Sequence, residues 1–411
     1  MKLRLNIRNV MLALWALPML LGACTPMDHY YKDLIEMGDR QYVGKVSDVR
    51  VYTGNERLKI VWATPSDPSA ERIVVYWNNR LDSVEQRLDH QVDTGFIAIN
   101  GLAEGPYTFN MVTFDKSGNR SLSVELNAQV YGPRFQSTLR NRVVERAGEL
   151  PNSAVINWYE EFSETMVHTE VRYTDMDGTV HTVTFPKDEM RLSLPNADVT
   201  LPVSHRSFFV PQPAALDTFV TEFETIQIPP PQFDVYDGVA MSASSSGRRA
   251  IDLATGAVYT LTEANSLQGQ IDLLLANSSS SAMNFIAPGN SGVTGWSALT
   301  YINSDWTNRN NGTMVKYSNP TPAEIEAFNA LTTVRQLYNA YNKALIDVPE
   351  RPEYSLTNEG PGGRVREINA GDIIYYWLEG RGLAVAIQVL AVNPGNSGGM
   401  DLKIKTGRFM P

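Results

Sequence analysis
The sequence is almost devoid of cysteine: Cys24 is the only one in 411 residues. No internal disulfide can brace the fold, and zinc sites built on thiolates are excluded. Histidine is scarce too. His29, His90, His168, His181 and His205 are scattered, with no pair at the i+2 or i+4 spacing of a metal site, and none follows position 205. The serines of the C-terminal half therefore lack the usual general base. Basic residues are outnumbered, 35 Lys and Arg against 45 Asp and Glu, for a net charge of −10. A polyanion would be repelled, so no nucleic-acid partner is expected. No apolar run reaches the roughly 20 residues that span a bilayer; the one from Val10 to Leu21 falls short. What remains, 43% apolar and 19% charged residues, suffices for ordinary folded cores.

The N-terminus has the three parts of a secretory signal: Lys2, Arg4 and Arg8, then the apolar run, then small residues. The junction Leu21-Gly22-Ala23-Cys24 resembles the lipobox recognised by bacterial lipoprotein signal peptidase. That resemblance implies removal of residues 1–23, acylation of Cys24 and a stable membrane anchor, since each buried CH₂ contributes about 0.8 kcal/mol. An ordinary signal peptide with an incidental cysteine is the alternative. The expected location is the cell outer membrane, with the exported chain lipid-anchored and surface exposed.

Residues 24–45 read as a polar tether. Strand signals then dominate to Pro229. Leu58, Ile60 and Trp62 alternate with Lys59 and Val61, as do Ile73, Val75 and Trp77 with their neighbours, which puts one set of side chains on a core face. With Tyr107 at the place of a tyrosine corner, residues 46–131 resemble a fibronectin type III or immunoglobulin-like sandwich. A weaker copy, 132–228, sets Val155-Ile156-Asn157-Trp158 where Lys59 to Trp62 stood, with Asp177-Gly178 as a hairpin tip. Tyr31-Lys32-Asp33, Gly44-Lys45-Val46, Val51-Tyr52-Thr53-Gly54-Asn55, Pro65-Ser66-Asp67-Pro68, Tyr76-Trp77-Asn78-Asn79 and Asp82-Ser83-Val84 resemble a Bacteroidota cell-envelope lipoprotein family with an N-terminal domain of unknown function. The resemblance spans roughly residues 28–228. It implies tandem sandwiches on the envelope and carries no activity with it.

The proline run within 229–234 suits a stiff spacer. Beyond it, 235–411 reads as an α+β domain. Hairpins are expected at 251–261 and 371–392, and a last strand at 400–404. A capping box at Thr321-Pro322-Ala323-Glu324 opens one long amphipathic helix through Leu345. The expected fold class is thus mainly β, two tandem sandwiches followed by an α+β domain with one long helix.

No catalytic constellation, metal site or cofactor motif stands out. Gly289-Asn290-Ser291-Gly292 and Gly395-Asn396-Ser397-Gly398 do not meet the frame of a hydrolase elbow, Gly-x-Ser-x-Gly between a strand and a helix. Glu160-Glu161 and Asp175 with Asp177 are carboxylate pairs of the kind glycosidases need, but strand neighbours face opposite ways and Asp-x-Asp-Gly favours a turn. Asp305 with Asn308, Asn310, Asn311 and Gly312 could supply oxygen ligands to calcium but misses the calcium-loop spacing, which favours a polar loop. The remaining candidates are Trp296, Tyr301 and Trp306, set among Asn303, Asn308 and Asn310. Flat rings rimmed by amides suit a sugar; the competing reading is that they plug a small core. The expected function is a non-catalytic surface binding lipoprotein for a glycan or nutrient beside an uptake system. The alternatives are a structural or adhesive envelope protein bound to another protein, and an unrecognised glycoside hydrolase.

Overall fold
A computed structural model describes residues 42–160, 162–277, 282–395 and 397–409. The expected signal sequence, Cys24, the expected tether up to residue 41, Glu161 and Asn396 lie outside the described residues. The chain divides into two compact units: residues up to Leu139 with Phe209–Phe219, and Arg140–Phe208 with Val220–Pro411.

The first unit holds β1 (Ser47–Thr53), β2 (Arg57–Ala63), β3 (Arg72–Trp77), β4 (Asp82–Arg87), β5 (Thr94–Asn100), β6 (Gly105–Phe114), β7 (Val124–Val130) and the short helix α1 (Pro133–Thr138). They form antiparallel sheets β1-β2-β5 and β4-β3-β6-β7. The inward phases meet in one core of Leu58, Ile60, Trp62, Ile73, Val75, Ile97, Phe109 and Met111. Tyr107 Oη donates to the Ala103 carbonyl at 3.0 Å, the bond that defines a tyrosine corner. Gly95 is required opposite the tryptophan, because a Cβ there would lie 2.6 Å from Trp62 Nε1. Residues 209–219 belong to this unit through Asp217, which accepts from Arg57 Nε at 2.9 Å and from the Asn55 amide at 2.8 Å.

The second unit begins with β8 (Val144–Leu150), β9 (Ser153–Trp158), β10 (Met166–Thr174), β11 (Val180–Pro186), β12 (Arg191–Pro195), β13 (Val203–Phe209), β14 (Phe219–Val220) and β15 (Glu224–Ile226). Sheet β12-β9-β8 faces sheet β11-β10-β13-β14, with β15 also on β13. The order repeats that of the first sandwich. Trp158 replaces Trp62 as the buried tryptophan. Asp175 and Asp177 close a hairpin, as their turn reading required: Asp175 Oδ1 accepts the Asp177 and Thr179 amides at 3.0 and 2.8 Å.

The rest comprises β16 (Phe233–Ser242), β17 (Arg248–Asp252), β18 (Ala257–Thr260), α2 (Leu261–Ala264), β19 (Leu273–Asn277), β20 (Met283–Ile286), α3 (Thr300–Asp305), β21 (Thr313–Tyr317), α4 (Pro322–Ala330), α5 (Val334–Asp347), α6 (Leu356–Glu359), β22 (Arg364–Ile368), β23 (Ile373–Leu378), β24 (Leu383–Asn393) and β25 (Gly399–Arg408). Two five-stranded sheets, β16-β25-β24-β23-β21 and β18-β17-β19-β20-β22, carry the strands. One apolar cluster lies between the sheets and includes Phe285, Ile374, Tyr376 and Val385. A second joins α4 and α5 to Val315, Ile373 and Tyr375, and a third joins α2 and α3 to Ala250, Leu274 and Ile286. Helices therefore cover the outer face of each sheet. Central strands such as Ile373-Ile374-Tyr375-Tyr376 are apolar throughout because both of their faces are buried.

The helix expected from Thr321 through Leu345 is two. Leu331 is extended (ψ 122°) and ends α4, and Thr333 opens α5 with a capping box of its own, accepting from the Gln336 amide. Lys405 is buried and donates to the carbonyls of Phe328, Asn329 and Leu331 at 2.7–2.9 Å, satisfying the helix end. The 229–234 proline run lies inside the second unit. Arg335 of α5 pairs there with buried Glu149 of β8. Gly395, Ser397 and Gly399 do have the Gly-x-Ser-x-Gly spacing, but they join β24 to β25, so no helix follows the serine.

Candidate functional site
The aromatic candidates form no platform. Trp306 is 3% exposed and packs with Ile271, Leu274, Val293, Leu299 and Ile302. Trp296 and Tyr301 are half-buried against that same cluster. The segment that carries them folds onto the outer face of the second sheet, so Trp306 closes a core and Trp296 and Tyr301 lie on its rim. The side-chain amides of Asn303 and Asn310 are also engaged. Asn303 Oδ1 accepts from Arg309 at 2.7 Å, while Asn308 donates to Gln268 Oε1 through its backbone N–H at 3.2 Å. Asn310 Nδ2 donates to the Gly269 and Ile271 carbonyls and to Asp272 Oδ1, at 2.8, 3.0 and 3.1 Å.

Asn310 thereby belongs to a buried charge centre. Asp272, fully enclosed, receives Arg381 Nη1 at 2.6 Å and the Leu253 amide at 2.9 Å; the same Nη1 reaches Asp252 Oδ1 at 3.2 Å. Burial pushes the Asp272 carboxyl up to about 6, against the pull of the Arg381 guanidinium. This centre joins the β17–β18 turn to the β23–β24 turn.

An open concavity lies elsewhere, at the end of the same domain where the edge strands β21 and β22 of the two sheets meet. It encloses about 460 Å³ and is walled by Lys316, Asn319, Arg351, Glu353, Asn358 and Glu367, among others. Lys316 anchors the floor. Its side chain is buried between the sheets, and Nζ donates to the Arg366 and Glu367 carbonyls at 2.9 and 3.0 Å and meets buried Asp372 Oδ2 at 3.4 Å. Asp372 in turn accepts the Asn369 and Asn319 amides at 2.9 and 3.3 Å. Asn319 and Glu367 both sit in the left-handed region, φ 48° and 52°. That conformation is uncommon for residues other than glycine and is held here by the Lys316–Asp372 bonds. On the opposite wall Arg351 Nη1 donates to the Ser318 carbonyl at 2.9 Å, with its guanidinium 5.3 Å from the Tyr317 ring. Asn358 Nδ2 donates to Glu367 Oε2 at 2.9 Å. The walls thus alternate carboxylates, amides and cations.

None of these wall residues was a candidate from the sequence. The available signal was Lys316 itself, a lone charge inside the apolar strand Met314-Val315-Lys316-Tyr317. Among the described residues no group of three His, Cys, Asp or Glu side chains is arranged to hold a metal ion.

Comparison with known proteins yields a family match over part of the chain and distant structural likenesses. Residues 24–219 match a family described as a domain of unknown function, DUF4998. No curated protein sequence matches the chain. Among solved structures, a two-domain fibronectin type III segment of chicken tenascin is similar at 15% identity, covering 44% of this chain and 97% of its own, with a TM-score of 0.19. The first three fibronectin domains of chicken CNTN1 are similar at 14% identity over 46% of this chain and 68% of theirs, TM-score 0.27. A DUF4466 family protein from Parabacteroides merdae is similar at 10% identity over 90% of this chain and 100% of its own, TM-score 0.27. At such scores the tandem-sandwich assignment rests on the strand order and the two buried tryptophans of this chain. The comparisons assign it no activity.

Proposed function
We infer that the chain is a non-catalytic binding lipoprotein of the bacterial outer membrane. Two sandwiches follow the anchored end in sequence, and the C-terminal domain takes a polyhydroxylated ligand, a glycan or related nutrient, in the cleft above Lys316. The observation that carries this reading is the chemistry of that cleft. Its amides both donate and accept, its carboxylates accept and its cations donate, which matches hydroxyl groups that do both. A half-open polar cavity of this volume suits one or two sugar rings better than an apolar molecule. Acylated Cys24 would hold the protein at the membrane and so place the cleft beside an uptake system.

Two measurements test the parts separately. A glycan array probed with the full chain should yield a ligand whose binding falls about tenfold or more when Asn358→Trp fills the cleft mouth, with the melting temperature nearly unchanged. An array without hits, or hits indifferent to Asn358→Trp, would remove the glycan reading. In the native host Cys24→Ser should abolish acyl labelling and release the protein from the membrane fraction; unchanged retention would sink the anchor.

A further inference from the structure
The second sandwich has an open side. Among the described residues β8 borders one sheet and pairs only with β9, while β15 pairs only with β13. The two edge strands line one cleft of about 380 Å³, walled by residues 143–147 and 224–227. In an antiparallel ladder alternate N–H and C=O groups face away from the paired strand, so free edges like these present backbone donors and acceptors.

His205 is an independent feature of the same cleft. It projects from β13 between the sheets, 3% exposed, with its ring centroid 5.1 Å from that of Trp158. Nε2 lies 3.1 Å from the Arg142 carbonyl. A carbonyl only accepts, so the neutral ring carries its proton on Nε2 and keeps a lone pair on Nδ1. Burial pushes the imidazole below its ordinary range, which favours that neutral form. Nδ1 makes no hydrogen bond of good geometry in the protein, with the Glu224 backbone close enough to act on the ring, and the residue lines the cleft. A buried acceptor left unpaired is costly, and a ligand that brings an N–H or O–H would relieve it.

We propose that this cleft accepts an extended peptide segment of a partner protein, which adds as a strand along β8 or β15 and turns a Ser, Thr or Asn side chain onto His205 Nδ1. An extended backbone is the ligand whose groups repeat in step with a strand edge, and its alternate side chains fall on one face. That face meets buried Ile226 and half-buried Val144 beside the histidine, so the positions flanking the hydroxyl or amide take small apolar side chains. Val143, 59% exposed at the mouth, extends the apolar strip outward.

The test uses the full chain and an array of synthetic hexapeptides that alternate valine with threonine, serine or asparagine. At least one is expected to bind and to slow amide exchange in residues 143–147 or 224–227. Its affinity should fall about tenfold or more on N-methylation of alternate peptide amides, and by a similar factor against His205→Phe, which keeps a ring on Trp158. If no peptide protects these amides, or if N-methylation leaves binding unchanged, the proposal is overturned. The N-methyl comparison leaves the protein intact, so it decides the matter even where His205→Phe fails to fold.

Discussion

Replacing Arg381 by alanine is expected to cost about 3–5 kcal/mol, the usual consequence of breaking a buried ion pair by deleting one partner. Two carboxylates depend on this guanidinium: Asp272, whose side chain is fully enclosed, and Asp252, 6% exposed. Without it they face each other across a dry junction. At roughly 2–4 °C per kcal/mol for a unit of this size, the melting temperature should fall by about 10 °C. Adding Asp272→Asn to Arg381→Ala should restore a large part of the loss, because the orphaned charge is then gone while the acceptor for the Leu253 amide remains. A small effect of Arg381→Ala at neutral pH, or no rescue by the second change, would show that the centre is open to water.

The same centre sets a pH dependence whose sign follows from the direction of the shift. The Asp272 carboxyl titrates near 6 in the folded chain and near 3.8 otherwise. The folded protein therefore holds a proton that the unfolded chain has already released between those values. The stability tied to this group is fully present below the lower value and is lost as pH rises through 6, by on the order of 2–3 kcal/mol. Removing Arg381 pushes the carboxyl further up, so the gap between Arg381→Ala and wild type should widen from pH 5 to pH 8. Urea titrations at both pH values read it directly. A gap that stays the same between pH 5 and pH 8 would mean that Asp272 is ionised throughout.

The legible parts of this chain are those in which one rule decides. Period-two alternation around Trp62 marks a strand with one wetter and one buried face, Trp158 is legible by its match to that stretch although its own strand is buried on both faces, and Tyr107 marks the corner because its hydroxyl must reach a particular carbonyl. The C-terminal domain is harder to read. Its sheets are covered on both sides, so Leu273-Leu274-Leu275 and Ile373-Ile374-Tyr375-Tyr376 show no alternation that says which face meets which layer. The break between α4 and α5 hides for a similar reason. The apolar spacing runs on through it, while the decision is made by Thr333 capping its own helix and by Lys405, distant in sequence, binding the last carbonyls of the first. The cleft over Lys316 depends on two edge strands 50 residues apart meeting at Glu367, which no local pattern announces. The aromatic-and-amide segment leaves two readings open in the sequence because composition cannot distinguish rings that stack on a sugar from rings that seal a sheet.

That last distinction leads to the other large effect expected. Trp306→Ala should destabilise the protein by about 3–5 kcal/mol, as for other buried large-to-small changes, since the indole is 3% exposed and fills the space between α3 and the outer face of the second sheet. Its Nε1 makes no hydrogen bond, so the ring contributes through volume and not through its donor. Trp306→Phe keeps most of that volume and removes the unpaired N–H; it should cost far less, within about 1.5 kcal/mol of wild type. The pair of variants separates packing from recognition. A ligand-stacking tryptophan would lose binding in both variants and stability in neither, whereas a core tryptophan loses stability in the alanine variant alone. Half-buried Trp296, on the rim of the same cluster, should lie between, with a smaller loss on change to alanine because less of its surface leaves water on folding. Equal melting temperatures for Trp306→Ala and wild type would place the ring in solvent and reopen the platform at Trp296, Tyr301 and Trp306.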